Sequence, residues 1–423
     1  MRYGKTGLPL DLPDDLKTHI IQKKKMPLVS DPEAAVKNAF SLPVGCKTLT
    51  GEAAGCQSVC ILVCDITRPV PNSIVLPTLV RELIRSGIKP DSITLLVATG
   101  LHRPNEGDEL AELIGNDRVL KTLRTVNHFA RNEADHLYLG TTPRGTPVKV
   151  DKRFLESDLR LVIGLVEPHF MAGYSGGRKV IIPGIAHEET IRVLHSTRML
   201  ENEQVTNCRL EGNPLHEELL QAIRMTGKTL AVNTVIDEDR NLSFVNFGFI
   251  EESHSDAVAF ARPFFEIPVN RKFKTILTSA SGYPLDKTYY QTVKGMLGVT
   301  DILEPGGDVF IVSECEEGLG SKEFAQSQAR FVQLGKDAFL AETGRKTYAD
   351  VDEWETVMQI KAMKTGNIHL FSEGLSKEEK ALTGVKVIKS LPDAVIQCVA
   401  GKEDKHIAVI PEGPYAIPVY CPV

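Results

Sequence analysis

The sequence has no long apolar run and few cysteines. No stretch of about 18 apolar residues occurs in its 423 residues, which argues against a transmembrane helix. Residues 1–4 lack the pattern with which a signal peptide begins, so we expect none. Cys56, Cys60 and Cys64 are spaced by four residues, but 59–64 has the apolar character of a strand, where these thiols would not share a tetrahedral arrangement. We therefore expect a reduced protein of the cytoplasm that makes no membrane contact.

An excess of positive charge and the common cofactor motifs are also missing. With 49 Lys and Arg against 55 Asp and Glu, the formal net charge is −6, which argues against nucleic acid as a partner. Small acidic substrates stay open, because they respond to local charge. The sequence contains no complete GxGxxG after the first predicted strand, no GxxxxGK[ST] and no HExxH. These absences disfavour an ordinary dehydrogenase, a triphosphate-binding loop and a zinc hydrolase.

Apolar strands alternate with helical patterns along most of the chain. Strands are predicted at 58–64, 92–98 and 159–166, and helices at 75–85 and 105–114. Strands and helices that alternate with short links are typical of crossover units in a mostly parallel sheet. The length and the 42% apolar content fit a globular α/β protein with more than one domain.

A change of composition at 263–270 predicts a linker, and this linker marks the expected domain boundary. We expect two domains with mostly parallel sheets flanked by helices, and an active site in the cleft between them. Residues 1–265 would form the N-terminal catalytic domain, with 1–50 covering its surface. Residues 266–404 would form a C-terminal α/β domain that closes over the cleft, and 405–423 a tail that returns to the first domain.

Polar side chains follow three of the predicted strands. Asp65 and Arg68 come after the first, His102 after the second and His169 after the third. Ligands of such sheets collect outside the carboxyl ends of the strands, so these loops are expected to meet at one edge. A facing pair of imidazoles can remove a proton from one side of a carbon centre and return it from the other, which racemisation and epimerisation require. Each histidine can equally be a hydrogen-bonded structural residue, and Asp65 and Arg68 can be an ion pair within one loop.

The stretch after the third strand has the highest density of reactive side chains. A glycine-rich turn at Ser175, Gly176 and Gly177 can bring backbone N–H groups to an anion. Lys179, two residues after Gly177, can contact a phosphate or form a covalent bond to a cofactor. His195, taken alone, is equally consistent with a structural histidine.

The second predicted domain carries its own polar group. Gln291 and Lys294 lie three residues apart and therefore share one face of the predicted helix, and Tyr290 lies beside them. This face can close over a small acid, or it can be solvated. Trp354, the only tryptophan, can stack on a ligand or belong to the core.

Taken together, these motifs resemble the nickel-dependent lactate racemase family over essentially the whole chain. The spacing within each motif and the order of the motifs agree with the family. The residues that carry the resemblance are Asp65, Arg68, His102, His169, Lys179, His195, Tyr290, Gln291, Lys294 and Trp354.

The resemblance implies a cofactor and a role for each residue. The cofactor is a nickel-pincer nucleotide (pyridinium-3,5-bisthiocarboxylic acid mononucleotide), joined to Lys179 and ligated through nickel by His195. His102 and His169 would be the paired acid and base. Arg68, Tyr290, Gln291 and Lys294 would bind the substrate, and Asp65 and Trp354 the cofactor, with phosphate contacts that we assign to Ser175, Gly176 and Gly177.

The implied reaction is racemisation or epimerisation of a 2-hydroxy acid by proton-coupled hydride transfer. Lactate is the default substrate, with malate or a bulkier 2-hydroxy acid as alternatives. Enzymes that build the cofactor would be transient partners. Two other classes stay open, a two-domain dehydrogenase or zinc hydrolase and a non-enzymatic nucleotide-binding or cofactor-carrier protein.

Overall fold

A computed structural model describes residues 1–422 and contains two six-stranded sheets with helices on both faces. In chain order the strands are β1 (Lys17–Ile20), β2 (Val59–Cys64), β3 (Ile93–Ala98), β4 (Arg124–Asn127), β5 (His136–Thr141), β6 (Pro147–Asp151), β7 (Leu159–Leu165), β8 (Pro168–His169), β9 (Gly173–Tyr174), β10 (Leu230–Ile236), β11 (Leu242–Phe249), β12 (Glu266–Val269), β13 (Phe273–Ser279), β14 (Leu303–Val312), β15 (Gly366–Phe371), β16 (Lys386–Ile388), β17 (His406–Ile410) and β18 (Ile417–Tyr420).

The helices surround these sheets. They are α1 (Pro32–Ser41), α2 (Leu49–Ala53), α3 (Asn72–Arg85), α4 (Gly107–Ile114), α5 (Asp117–Thr122), α6 (Lys152–Leu155), α7 (Arg178–Ile181), α8 (Glu188–Leu194), α9 (Thr197–Leu200), α10 (Pro214–Arg224), α11 (Ile250–Phe265), α12 (Tyr289–Leu297), α13 (Lys322–Leu334), α14 (Lys336–Thr343), α15 (Glu353–Thr365), α16 (Lys377–Leu382) and α17 (Leu391–Ala400).

The first sheet has the order β11-β10-β7-β2-β3-β4 and the second β1-β17-β13-β14-β15-β16. Neighbouring strands are parallel throughout, except that β11 runs antiparallel to β10. The central strands β2 and β7 are almost entirely buried, which explains their unbroken apolar sequences, since a parallel sheet is covered on both faces. The predicted α/β class with mostly parallel sheets is confirmed.

The start of the chain lies on the second sheet, where the sequence predicted that it covers the first domain. Strand β1 pairs in parallel with β17, and Tyr3 and Leu16 pack with Phe310 in the core beside that sheet. The prediction for residues 1–50 is therefore wrong for the first twenty. The physical reason is that β1 is a short edge strand with mostly exposed side chains, so that it has no apolar periodicity to read.

The end of the chain contacts both halves of the molecule. Strand β17 lies inside the second sheet, between β1 and β13. Strand β18 pairs with β12, and Ile417 packs in a cluster with Tyr174 and Val258 of the first half. The limits drawn at residues 265 and 405 stay predictions. Within residues 1–422, no helix is both long and apolar enough to cross a bilayer.

The two halves are joined directly beside the cleft. Lys361 on α15 extends to the end of α9 and the segment after it, where its ammonium donates hydrogen bonds to the carbonyl oxygens of Leu200 (3.1 Å), Asn202 (2.6 Å) and Val205 (2.7 Å). One turn further, Lys364 forms a more exposed ion pair with Glu201. These contacts hold α15, which carries Trp354, against the first half.

Candidate active site

The loops after β2 and β3 are joined by a short hydrogen bond between two predicted site residues. Nδ1 of His102 lies 2.5 Å from Oδ2 of Asp65. The carboxylate is buried and also accepts a hydrogen bond from Oγ1 of Thr67 at 2.6 Å. Burial alone would raise the pKa of Asp65, but the hydrogen bond and charge of His102 outweigh it and lower the pKa. Because the carboxylate accepts from Nδ1, the neutral His102 ring keeps a lone pair on Nε2.

The loop after β7 fixes His169 in the other tautomer. The backbone N–H groups of Met171 and Ala172 both donate to Nδ1 of His169 at 3.2 Å, which assigns the proton of the neutral ring to Nε2. Burial and then the cations Lys179 and Lys294 lower the pKa of His169 well below its usual value. His169 is therefore neutral near pH 7, with a proton on Nε2 where His102 has a lone pair.

Lys179 lies at the start of α7 among other cations. Burial lowers the pKa of its amine to about 7, and Arg178, Arg68 and Lys294 act in the same direction. Near neutral pH the Lys179 amine is therefore unprotonated in a large fraction of the molecules. An unprotonated amine is the nucleophilic form that covalent attachment requires.

His195 ends α8 in a form suited to metal ligation. Its Nδ1 donates to the carbonyl oxygen of Ile191 at 2.7 Å, so the lone pair is on Nε2. Burial lowers the pKa of His195 to about 4, and the nearby Lys179 adds to the effect. Among residues 1–422, no three His, Cys, Asp or Glu side chains are grouped to hold a metal ion. A metal bound by His195 would therefore take its other ligands from a bound group, and soft sulfur donors beside an imidazole suit nickel.

The glycine turn packs closely against the first sheet. Ser175 donates through Oγ to the carbonyl oxygen of Leu165 at 2.7 Å, so that its hydroxyl is turned inward. Gly176 has φ of +75°, and a Cβ there would lie 2.9 Å from the same carbonyl oxygen. Gly177 has φ of +47°, and a Cβ there would meet the ring of His254 at 3.0 Å. Within the described chain, the N–H groups of these glycines donate to no acceptor, so a phosphate contact stays a prediction that rests on the backbone.

Arg178 holds this turn in place, and the sequence reasoning overlooked it. The side chain is 1% exposed and donates to the carbonyl oxygens of Ala172 (2.8 Å) and Tyr174 (3.1 Å). Burial lowers the pKa of the Arg178 guanidinium to about 9. Its position between the glycine turn and Lys179 was the one feature of the sequence that could have indicated this role.

Residues of the second sheet's helices reach the same cleft. Nζ of Lys294 on α12 lies 5.8 Å from the ring centroid of Phe170. The Trp354 ring lies 4.9 Å from the ring of His195, centroid to centroid, and its Nε1 donates to the hydroxyl of Tyr290 at 3.0 Å. The approach of α12 to the residues after β7, which the sequence predicted, is therefore present in this structure.

The loop between β17 and β18 adds a residue that the sequence did not indicate. Tyr415 lies beside Glu167 and Arg68, and burial together with the Glu167 charge raises the pKa of its phenol. Glu167 in turn lies near Arg68 and Lys294. The proline-rich sequence of this segment predicts only an irregular structure. It does not indicate which of its residues lies near the cleft.

The predicted site residues thus lie in one region, formed by three loops of the first sheet and by α12 and α15. The structure brings together Asp65, Arg68, His102, His169, Lys179, His195, Tyr290, Lys294 and Trp354, with Gln291 on α12 one turn before Lys294. Their roles toward substrate and cofactor stay predictions. Chemically, the region offers a base, a hydrogen-bond donor, an unprotonated amine and a free imidazole lone pair.

Comparison with known proteins covers nearly the whole chain. The family model described as the lactate racemase N-terminal domain matches residues 3–207, and that of the lactate racemase C-terminal domain matches residues 270–417. The lactate racemase of Thermoanaerobacterium thermosaccharolyticum is 31% identical over 418 residues, which are 97% of this chain and 96% of that protein. The lactate racemase of Lactiplantibacillus plantarum is 28% identical over 383 residues, 90% of this chain and 89% of that protein.

Solved structures agree with these matches. The lactate racemase apoprotein from T. thermosaccharolyticum superposes with a TM-score of 0.91 at 29% identity, covering 99% of this chain and 98% of that one. A protein from Thermotoga maritima shares the fold, with a TM-score of 0.68 at 16% identity over 94% of this chain and 100% of that one. The family that the motifs resembled is therefore confirmed: the chain belongs to the lactate racemase family and is a racemase, an isomerase.

Proposed function

We propose that this protein interconverts the enantiomers of a 2-hydroxy acid, with lactate as the first candidate, by proton-coupled hydride transfer at carbon 2. The observation that carries the proposal is the pairing of His102, with a lone pair on Nε2, and His169, with a proton on Nε2, in one cleft. Exchange of a hydroxyl proton requires one group of each kind. The names of the two curated relatives support lactate.

We infer that the hydride acceptor is a nickel-pincer nucleotide attached at Lys179. The lowered pKa of the Lys179 amine suits covalent attachment, and the Nε2 lone pair of His195 suits nickel. The N–H groups of Gly176 and Gly177 are candidates for the phosphate. When bound, this group would accept a hydride from carbon 2 and return it to either face.

The substrate carboxylate would lie between Arg68 and Lys294, which approach from opposite sheets. A guanidinium binds a carboxylate through two parallel hydrogen bonds. The amide of Gln291 would donate to or accept from the substrate, since its Oε1 is buried and has no partner among residues 1–422. Tyr290, held by Trp354, would close the cleft against water.

His102 would take the hydroxyl proton through Nε2 as carbon 2 loses its hydride, which avoids a poorly stabilised carbanion. His169 would donate a hydrogen bond from Nε2 to the same oxygen. To act as the base for the other enantiomer, His169 needs a lone pair on Nε2. The proton on Nε2 must then move to Nδ1, and the ring must release the N–H groups of Met171 and Ala172, which donate to Nδ1 and leave no room for a proton there.

Intact mass, nickel content and activity test the proposal together. The protein is made with and without the enzymes that build the cofactor, and D- and L-lactate are followed by chiral chromatography, with malate and larger 2-hydroxy acids as a panel. We expect added mass, about one nickel per chain and racemisation only with those enzymes. No added mass and no nickel under either condition would refute the cofactor, and no exchange with any acid would refute the reaction.

A further inference from the structure

Asn213 is a buried asparagine directly before α10, and its amide makes four hydrogen bonds. Its exposed fraction is 0%. Oδ1 accepts from the backbone N–H groups of Leu215 at 3.0 Å and His216 at 3.2 Å. Nδ2 donates to the carbonyl oxygens of Met171 at 2.9 Å and Arg209 at 3.0 Å. The amide therefore uses both of its lone pairs and both of its protons, which is all that an asparagine side chain offers.

The oxygen and the nitrogen of this amide bind different parts of the chain. The oxygen caps the first turn of α10, a role that serine, aspartate and threonine perform as well. Among these cap residues, asparagine alone adds a pair of N–H donors. In Asn213 these donors point away from the helix and one of them reaches the loop after β7. The residue type therefore fits a bridge between α10 and that loop as well as a helix cap.

The bridge ends on the peptide group that contacts His169. The carbonyl oxygen of Met171 and the N–H group of Ala172 are the two ends of one planar peptide bond. The oxygen accepts from Asn213 at 2.9 Å, and the N–H group donates to Nδ1 of His169 at 3.2 Å. A continuous chain of hydrogen bonds thus runs from the Asn213 amide through one peptide group to a ring of the proposed acid–base pair.

Such a chain strengthens the contact at its end. A hydrogen bond accepted by a peptide oxygen polarises the peptide and makes its N–H group a better donor. It also fixes the plane of the peptide, and with it the direction of the N–H group toward the ring. Within the loop itself, the strand pairing of β8 with β9 joins only two residues to two. The support from α10 therefore adds to a loop that has little regular structure of its own.

The segment 207–213 also packs directly on this loop. Gly173 has φ of +77°, and a Cβ there would collide with the carbonyl oxygen of Arg209. The same oxygen is the other acceptor of the Asn213 amide. The backbone N–H group of Cys208 donates to the carbonyl oxygen of Gly173 at 3.0 Å. Asn213 thus joins the two sides of a close contact, the loop after β7 and the segment packed on it.

We propose that Asn213 is a positioning residue that holds the His169 ring for proton exchange with the substrate through the peptide group between Met171 and Ala172. The inference rests on the proposed function, since that function assigns His169 to the acid–base pair. It extends the function by naming a residue that acts on the ring only through that peptide. An asparagine that did no more than cap α10 would leave the ring unaffected.

The first experiment uses nitrogen-15-labelled apoprotein and the variant Asn213→Ser, which retains a cap for α10 but loses the Nδ2 donor. NMR measures the exchange of single amide hydrogens with solvent. We expect the Ala172 N–H group to exchange about tenfold faster or more. The Leu215 N–H group, which reports on the cap, should stay within about threefold of the wild type. The Nδ1 signal of His169 should move, whereas that of His102 should stay.

Asn116→Ser makes the same change at the N-cap of α5 and is the matched control. Asn116 accepts from the backbone N–H group of Val119 at 3.0 Å, and its replacement should leave the Ala172 exchange and the His169 signal unchanged. Asn213→Thr supplies a second variant should Asn213→Ser not fold, because its larger side chain leaves a smaller cavity. Wild-type exchange of Ala172 or an unmoved His169 signal in a folded variant overturns the inference.

The second experiment uses the nickel-loaded enzyme and lactate. In Asn213→Ser we expect kcat to fall by about three- to tenfold, because the Nε2 proton of His169 is no longer held toward the hydroxyl oxygen in the transition state. KM should stay within about twofold, since binding of the carboxylate is assigned to Arg68 and Lys294. An unchanged kcat, or a rise in KM alone, overturns the inference.

The two proposals fail separately. A wild-type enzyme without activity on any 2-hydroxy acid, combined with a moved His169 signal in Asn213→Ser, supports the bridge and refutes the proposed reaction. An active wild-type enzyme with an unmoved signal in the variant refutes only the role of Asn213.

Discussion

Nδ1 of His102 and Oδ2 of Asp65 lie 2.5 Å apart and join the loops of two neighbouring strands. The acid is almost wholly buried, whereas the His102 side chain is 59% exposed. A buried carboxylate thus fixes the tautomer and orientation of an exposed imidazole, as in other acid–base pairs of enzymes. The resemblance assigned Asp65 to a cofactor ribose. The structure shows that one of its oxygens is already used to hold His102.

Asp65→Asn should lower kcat for lactate by about 10- to 100-fold, because the amide no longer fixes the Nδ1–H tautomer. Chiral chromatography of initial rates measures this effect. Thr67→Val, which removes only the neighbouring hydroxyl, is the control and should retain kcat within about threefold. Equal rates in the Asp65→Asn and wild-type proteins would show that His102 is oriented by other groups.

The two histidines should differ in tautomer at pH 7.5. Nitrogen-15 spectra of histidine-labelled apoprotein are expected to show a protonated Nδ1 for His102 and a protonated Nε2 for His169. His102→Gln and His169→Gln assign the signals. The same tautomer in both rings would contradict the roles given to them here.

Lys179 should react with acylating reagents at a lower pH than ordinary lysines. With a pKa of about 7 against about 10.4 for an unperturbed lysine, its acylation should rise between about pH 6 and pH 8 and then level off. Peptide mass spectrometry of the apoprotein gives the midpoint. Lys179→Ala should also abolish the added mass in protein made with the cofactor enzymes, whereas Lys294→Ala should retain it.

His195 should make the apoprotein less stable in acid. Its pKa is about 4 in the folded chain and about 6.5 when unfolded, so the unfolded chain binds the proton first as the pH falls. The free energy of unfolding therefore falls as the pH drops from 6.5 toward 4, and we expect a loss of about 2 kcal/mol between pH 7.5 and pH 5. Urea unfolding at the two pH values measures it. His195→Asn should show a smaller loss, and an equal loss would assign the effect to other groups.

Some of the site could be predicted because it depends on features that short segments of the sequence show. Strands β2, β3 and β7 are uninterrupted apolar segments, and parallel strands place the residues that follow them at one edge. The pairing of His102 with Asp65 was not predicted, because side-chain partners depend on how two loops approach. The hydrogen bond between Trp354 and Tyr290 was not predicted for a similar reason. It is set by the packing of α12 on α15, which no spacing in the sequence encodes.

Two errors in the prediction of the fold also have specific physical causes. Helix α11 continues through Pro263 to Phe265, whereas the sequence indicated a linker from Pro263. Tertiary packing of Ala261 and Phe265 outweighs the local preference of proline to end a helix. The polar strand β1 carries no pattern from which its pairing with β17 could be read.

Lys361→Met should destabilise the protein by about 3 kcal/mol, because three carbonyl oxygens, two of them in partly buried hydrogen bonds, lose a charged donor. Lys364→Met, one turn away, is the matched control, since its ion pair with Glu201 is partly exposed and such pairs contribute about 1 kcal/mol or less. Urea unfolding of both variants gives the difference. Equal losses would mean that the contacts of Lys361 do not hold the two halves together.

The parallel pairing of β1 with β17 also constrains the order of events during synthesis. Lys17 is synthesised long before its partner His406. The first sheet, built from residues between these strands, can form while translation continues, as domains commonly do. The second sheet stays incomplete until β17 is inserted next to β13, so β1 waits unpaired while residues 21–405 are made. Strand β1 has only four residues, and its exposed Lys17 adds a charge. Both features keep an unpaired edge from aggregating.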